Sequence, residues 1–240
     1  MRILGVVDLR SGRAVHALGG VRNRYQPVAT CADVPIDGDP LALATTYRDA
    51  LGVQELYVAD IDAISGEEPQ DRIVDDLLGL GLPLWLDSGV STWQRAQEVI
   101  NRGVARVVIG LETLPSFEAL DVICISVGGQ RVVFSLDMKN GTPILAPGSG
   151  LRASGTTPAA LAARAAKSGV GAIIALDLAR VGLGGGVDLK LIRAVRKAAP
   201  DVMLLAGGGV RGEEDLPPLS EAGADAILAA TMLHQASPHR

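Results

Sequence analysis

Short apolar runs rich in β-branched residues recur along the chain, each followed by a segment whose apolar positions return every three or four residues. Eight such runs, residues 3–7, 56–59, 84–86, 106–109, 132–136, 172–176, 202–206 and 226–229, read as strands. Nearly every position in them is apolar, the pattern of strands covered on both faces of a parallel sheet. The intervening segments, residues 40–51, 69–80, 92–102, 115–123, 157–168, 189–199 and 213–222, read as helices. Several begin with Pro or behind Ser, Thr or Asp, and several stop at glycine (Gly52, Gly103, Gly169, Gly223), as helix termini prefer. Strict alternation with eight strands predicts a single (β/α)8 barrel, a doubly wound open sheet being the structural alternative.

The two halves of the chain resemble each other. Val7-Asp8-Leu9-Arg10-Ser11-Gly12 parallels Leu136-Asp137-Met138-Lys139-Asn140-Gly141, and Asp60 parallels Asp177. Ser88-Gly89-Val90 lines up with Gly208-Gly209-Val210, and Gly103 with Gly223, at a constant offset of 120. An ordered set of matches reads as a duplicated unit of four βα pairs, with half-barrels at approximately 1–124 and 125–240. Duplication would place equivalent residues across the barrel mouth, where barrel active sites sit.

Composition narrows the function. The 240 residues are 48% hydrophobic and carry 22 Lys+Arg against 27 Asp+Glu, a net charge of −5 without a basic block, which argues against nucleic acid. No stretch is apolar enough to span a bilayer, and Asp8 interrupts the N-terminus before a signal core develops, so a cytoplasmic protein is expected. Aromatics make up only 3% while glycine numbers 29, favouring sites lined by backbone over base-stacking platforms. Cys31 and Cys124 lack zinc spacing, and His16, His234 and His239 are too few and scattered for a metal centre; no cofactor is expected. The oligomeric state is left open.

Asp8 and Asp137, at the ends of the first and fifth strands, are the leading catalytic candidates. Opposed carboxylates suit a proton-shuffling isomerisation, provided burial keeps one protonated near neutrality; singly, each would merely cap its turn. Gly207-Gly208-Gly209, with Ala229, Ala230 and Thr231 after the last strand, read as a phosphate cradle, although tight turns also use glycine for steric reasons. The matching first-half residues are Asp87, Ser88, Gly110 and Glu112. Those carboxylates would repel a dianion, so that site reads as lost or repurposed for an ammonium, a ring N–H or hydroxyls, with helix capping as the plain alternative.

Residues 19–40 form a long connection that reads as a cover, with Arg22 and Arg24 as anion clamps or solvated charges. Arg180 and the glycines of residues 182–186 form a second loop, beside which Asp177 either orients a hydroxyl or holds the loop. Lys139 is either a Schiff-base nucleophile, which would make the protein a lyase, or a surface charge.

Over the whole chain, Asp8-Leu9-Arg10 with Gly12, Val58-Ala59-Asp60-Ile61-Asp62, Ser135-Leu136-Asp137, Asp177 with Gly182, and Gly207-Gly208-Gly209-Val210-Arg211 resemble the histidine-biosynthesis barrels. Within these they resemble the phosphoribosylformimino-5-aminoimidazole carboxamide ribotide isomerase family. The resemblance implies a metal-free Amadori rearrangement of a phosphorylated, ribose-derived metabolite. Asp8 would be the base, Asp137 the acid and the glycines after strand seven the phosphate ligands.

Departures from the family pattern bear on the substrate. The family's Gly-Gly-Gly-Ile-Arg and Gly-Thr are Asp87-Ser88-Gly89-Val90-Ser91 and Gly110-Leu111, its Thr before the strand-six Asp is Leu176, and its glycine after strand eight is Ala230. The aromatic of its strand-five loop is missing from residues 140–155. These changes put a bisphosphate substrate in doubt and resemble a divergent branch associated with one-carbon cofactor synthesis. A non-catalytic phosphosugar-binding protein is the remaining alternative.

Overall fold

The computed structural model describes residues 1–153 and 157–236; His239 and the last residues of the 140–155 stretch lie outside them. Eight parallel strands close into a barrel: β1 (Arg2–Arg10), β2 (Leu56–Asp60), β3 (Leu84–Asp87), β4 (Arg106–Gly110), β5 (Val132–Lys139), β6 (Ala172–Asp177), β7 (Met203–Gly207) and β8 (Ala226–Ala229). The helices that return the chain are α1 (Pro40–Asp49), α2 (Asp71–Leu78), α3 (Trp93–Asn101), α4 (Phe117–Val127), α5 (Pro158–Lys167), α6 (Leu189–Ala198), α7 (Leu216–Glu221) and α8 (Thr231–His234). Closure is made by β8 on β1, with Arg2 opposite Ala226 and Gly5 opposite Ala229. The open-sheet alternative is thereby excluded.

Alternation along each strand sorts the core into two layers. Leu4, Tyr57, Trp85, Val108, Val133, Ile174 and Leu205 fill the barrel, while Val7, Leu9, Val58, Leu86, Ile109, Phe134 and Ile173 pack outward under the helices. The scarce aromatics are concentrated here. Trp85 is 1% exposed, its indole N–H donating to Glu55 at 3.1 Å, and Phe134 stacks obliquely on Phe117 of α4. Helix starts follow the expected chemistry: Asp39, Thr92, Ser116, Thr157 and Asp188 cap α1, α3, α4, α5 and α6 through their side-chain oxygens.

Several boundaries differ from expectation: α4 runs on to Val127, past the expected 123, and three further differences have a plain physical reason. β1 runs on to Arg10 and β5 to Lys139, because each continues beyond the barrel as a hairpin arm, pairing with Arg13–His16 and Thr142–Pro143. The two hairpin turns match in backbone: Ser11 and Asn140 at φ 49° and 51°, Gly12 and Gly141 at 78° and 79°. Residues 213–222 divide into a 3-10 turn (Glu213–Asp215) and α7, since Pro217 and Pro218 are tolerated only in a helix's first turn. The 19–40 connection is also more ordered than an open loop. It holds a 3-10 turn at Arg22–Arg24, and Gln26–Pro27 pairs with the β1 hairpin.

Phe134→Ala should cost about 3–5 kcal/mol, the usual range for emptying a fully buried aromatic site. A lowered urea midpoint with an unchanged slope would bear this out; an unchanged midpoint would show that the barrel wall collapses to fill the gap.

Candidate active site

The C-terminal strand ends open into a cavity of about 590 Å³. In β1 the inward positions are Leu4, Val6 and Asp8, and in β5 they are Val133, Ser135 and Asp137, so both aspartates arrive at the mouth by period two and line the cavity. They sit inside the extended strands rather than after them, Asp8 opposite Ala59 of β2 and Val15 of the hairpin. Without a basic partner, the buried Asp137 and the half-buried Asp8 at the cavity wall both have carboxyls pushed by desolvation from 3.8 to about 7. Asp137 is raised further by the neighbouring Glu112, while the Ser135 hydroxyl, donating to its Oδ1 at 2.7 Å, works the other way.

Asp87 at the end of β3 also faces this cavity. Its carboxyl and that of Asp137 approach over Gly110, where an added side-chain carbon would lie 3.6 Å and 3.2 Å from them. Burial, and then the Asp137 charge, hold Asp87 well above the ordinary carboxyl range. Glu112 is bound by Arg22, whose Nη2 reaches both carboxylate oxygens at 2.9 Å and whose Nη1 donates to Ser65 at 3.2 Å. Arg22 therefore lines the cavity as a partner of Glu112, not as a free clamp. Arg24 points elsewhere, exposed and away from the cavity lining.

The backbone amides of the two halves differ in a way that bears directly on ligand binding. Gly208 (φ 82°) and Gly209 (φ 96°) need glycine on two counts, since an added carbon would lie 2.5 Å from the Asp177 carbonyl and 2.8 Å from that of Gly186. Sterics alone therefore account for the glycines. Yet among the described residues the N–H groups of Gly208, Gly209 and Ala230 have no hydrogen-bond acceptor, and all three residues line the cavity. At the first-half positions offset by 120, the Gly89 N–H donates to Asp87 at 3.3 Å, while the Ser88 N–H has no acceptor among the described residues; just past Gly110, the Leu111 N–H donates to the Ser135 carbonyl at 2.9 Å and the Glu112 N–H to Asp137 at 3.5 Å. The second half leaves the Gly209 amide open where the first half turns the Gly89 amide onto its own carboxyl.

Several expected residues serve the scaffold instead. Asp177 does not line the cavity: its Oδ1 accepts from the Ala179 and Asn140 amides at 3.1 and 3.3 Å, and its Oδ2 from Arg180 at 3.3 Å. Arg180 is held there and by the Gly186 carbonyl at 3.0 Å, so both residues fix the β6 loop rather than meet a ligand. That loop is latched to the 19–40 connection by Gly19 N–H donating to the Val181 carbonyl at 2.8 Å. Gly207, Ala229, Ser88 and Gly110 stand behind the lining, Gly207 and Ala229 as strand ends and Gly110 beneath the two carboxyls. Lys139 lies exposed on the rim, without the apolar enclosure a Schiff-base lysine draws on. Ala230 adopts φ −121°, so its position does not demand the family's glycine. Among the described residues no three His, Cys, Asp or Glu side chains converge as metal ligands, and no helix is long and apolar enough to cross a membrane.

Three lining residues escaped the sequence reading. Tyr57 stands at an inward β2 position, which strand parity would have revealed, and its hydroxyl donates to Asp87 at 3.5 Å. Tyr25 comes from the 19–40 connection and has no periodic signal, while His16 comes from the return arm of the β1 hairpin.

Residues 2–238 match the family model described as histidine biosynthesis protein. The chain is 32% identical over 246 residues to the imidazole glycerol phosphate synthase subunit HisF of Nocardioides sp., covering 98% of this chain and 90% of that one. It is 30% identical to the protein of the same name in Nocardia farcinica, with the same coverage. To the 1-(5-phosphoribosyl)-5-((5-phosphoribosylamino)methylideneamino) imidazole-4-carboxamide isomerase of Deinococcus radiodurans it is 29% identical over 238 residues, covering 98% and 94%.

The raised carboxyls also set a stability prediction. Ionising Asp8 or Asp137 inside the fold, at about 7 instead of 3.8, costs on the order of 4 kcal/mol at ~1.4 kcal/mol per pH unit. The stabilising contribution of the protonated form is complete below 3.8 and is lost as pH rises through about 7. Asp8→Asn and Asp137→Asn, which cannot ionise, should match the parent in Tm near pH 4 and exceed it at pH 8. Equal Tm differences at both pH values would show that the carboxyls are not held raised.

Proposed function

This chain belongs to the histidine biosynthesis protein family, an enzyme family, and we propose that it is an acid–base aldose–ketose isomerase for a ribose-derived metabolite with one phosphate. The observation that carries the reading is the pairing of two raised carboxyls, Asp8 and Asp137, with open amides at Gly208, Gly209 and Ala230, while in the first half the Gly89, Leu111 and Glu112 amides are turned onto the protein's own acceptors. A phosphate on those amides would fix one end of the substrate and hold the sugar between the aspartates. At the far end Asp87 and Glu112 offer oxygens to hydroxyl or N–H groups, and Asp87 occupies the Gly89 amide that a second phosphate would use, in line with the family's glycines being replaced there.

Chemistry follows from the protonation states. Asp137 in its acid form donates to the furanose ring oxygen, the C1–O bond breaks and the substrate nitrogen's lone pair closes a protonated Schiff base. Asp8 as carboxylate removes the C2 proton, giving an enolamine; return of a proton to C1 and loss of the hydroxyl proton leave a ketone at C2. Atoms and electrons are conserved throughout, so the reaction is an isomerisation. With both groups near 7, neutral pH keeps a working fraction of the enzyme with one carboxyl ionised and the other protonated.

The synthase-subunit relatives favour a second reading, in which the same aspartates serve a synthase reaction. Strain rescue separates the two. The gene should restore growth without histidine neither to an isomerase-deficient strain, whose missing enzyme is named for a substrate with two phosphoribosyl groups, nor to one lacking the synthase subunit; rescue of the first strain would overturn the one-phosphate reading, and rescue of the second alone would install the synthase reading. Rescue of neither strain by well-expressed protein would remove both histidine-pathway substrates and leave a different one-phosphate substrate to be identified. Turnover should peak near pH 7, falling on the acid side as Asp8 is protonated and on the alkaline side as Asp137 ionises. Asp8→Asn and Asp137→Asn should each lower kcat by about 10²–10⁴-fold; retention of full activity by either would take that residue out of the reaction.

A further inference from the structure

The open amides lack an obvious cation. Arg180 is tied to Asp177 and the Gly186 carbonyl, Arg211 to Asp215, and Arg22 to Glu112. Lys139 lies across the mouth at the end of β5. Among the described residues this leaves one basic side chain beside the cradle. His16, on the return arm of the β1 hairpin, lines the cavity with its Nε2 2.9 Å from the hydroxyl of Thr231, the residue after Ala230.

The surroundings of His16 are built to hold a ring in place without charging it. Its ring meets that of His234 edge to face, with centroids 5.4 Å apart. His234 in turn stacks on Tyr47 of α1, whose hydroxyl lies 2.8 Å from His234 Nε2 and donates to the Val6 carbonyl at 3.1 Å. With that proton committed to Val6, His234 donates from Nε2 to the Tyr47 oxygen and stays neutral, burial and the nearby His16 pushing it down to about 4. Burial lowers His16 as well. The other ionisable groups at this end are Asp8 and Cys31, both close enough to act on Tyr47. Across the cavity stand Tyr25, Tyr57, Asp87, Glu112 and Asp137 with Arg22 and Lys139. No second cation is packed against His16, so nothing but the lost hydration opposes its protonation once an anion arrives.

We propose that His16 is the cationic ligand of the phosphate: as the anion settles on the amides of Gly208, Gly209 and Ala230, the imidazole takes a proton from solvent, and its Nε2–H and the Thr231 hydroxyl both donate to phosphate oxygens. This rests on the phosphate reading above and adds to it a proton taken up on binding. It also accounts for a neutral resting cradle: without ligand, Thr231 and His16 satisfy each other, and the site carries no bare buried charge.

Sulfate, a dianion throughout pH 5–8, is the probe, and the ring of His16 is read directly by NMR because Asp8 and Asp137 also titrate in this range. With saturating sulfate the His16 midpoint should rise by at least one pH unit while the Gly208 and Gly209 amide signals shift. His16→Gln, which keeps a hydrogen bond to Thr231 without the charge, should bind sulfate at least tenfold more weakly at pH 6. Amide shifts with an unmoved His16 midpoint, or undiminished affinity in the variant, would overturn the role of His16 and leave the phosphate site standing. Absence of any amide shift would remove both.

Discussion

The β8–β1 ladder is the contact on which the site depends. With Arg2 to Gly5 paired against Ala226 to Ala229, the sheet has no free edge on its barrel path, and the inward positions of every strand must share one enclosed interior. Parity then does the placing. Leu4, Val6 and Asp8 face inward together, so a residue pair of alternate register at the strand tops becomes a pair of carboxyls over one cavity. A one-residue slip of β1 would bury Asp8 beneath α1 and turn Val7 toward the substrate space. The large interior fillers, Trp85 and Tyr57, lie at the same parity as Asp87 and Ala59, so the packed floor and the reactive mouth are successive layers of one alternation.

That enclosure works against stability where it serves chemistry. Asp8, Asp87 and Asp137 stand in one cavity, none of them paired with an arginine or lysine among the described residues. The surface carboxylates are treated differently: Asp71 and Asp75 are shared with Arg95 and Arg102, and Asp121 with Arg164. A cation beside Asp8 or Asp137 would stabilise the fold and hold the carboxyl permanently ionised, ending its use as a proton carrier near neutrality. Glu112, which does have its arginine, is the one cavity acid that sits on a loop rather than on an inward strand position, and its pairing with Arg22 also pins the 19–40 connection over the mouth.

What could be read from the sequence was what local pattern controls. All eight strands and the main helices followed from apolar runs, caps and glycine stops, and both opposed aspartates followed from duplication. The extension of β1 and β5 was hidden because a hairpin arm beyond the barrel has the same alternating pattern as loop sequence with apolar residues. Asp177 stays open in the sequence between a ligand group and a loop strut, since a strand-end acid beside a glycine loop suits both; only the partners of its oxygens, Arg180 among them, decide for the strut. Tyr25 and His16 were illegible for a further reason. They enter the cavity from irregular segments whose direction is set by contacts such as Gly19 to Val181, far apart in sequence, which no local period encodes.

The two halves share a backbone and differ in what completes it. Gly89 and Gly209 are both left-handed, at φ 65° and 96°, so the same turn is retained on each side. The side chain two residues earlier decides the amide's partner: Gly207 leaves the Gly209 amide open, whereas Asp87 folds its carboxyl back onto the Gly89 amide. A single acidic residue thus occupies a donor that a phosphate on that side would need. Reversing the specificity by removing Asp87 alone would be incomplete, because the Glu112 amide still donates to Asp137 and the Glu112 carboxylate still faces Arg22. On the proposed reading, discrimination against a second phosphate would come from several protein groups acting on one end of the cavity, through donors they already occupy.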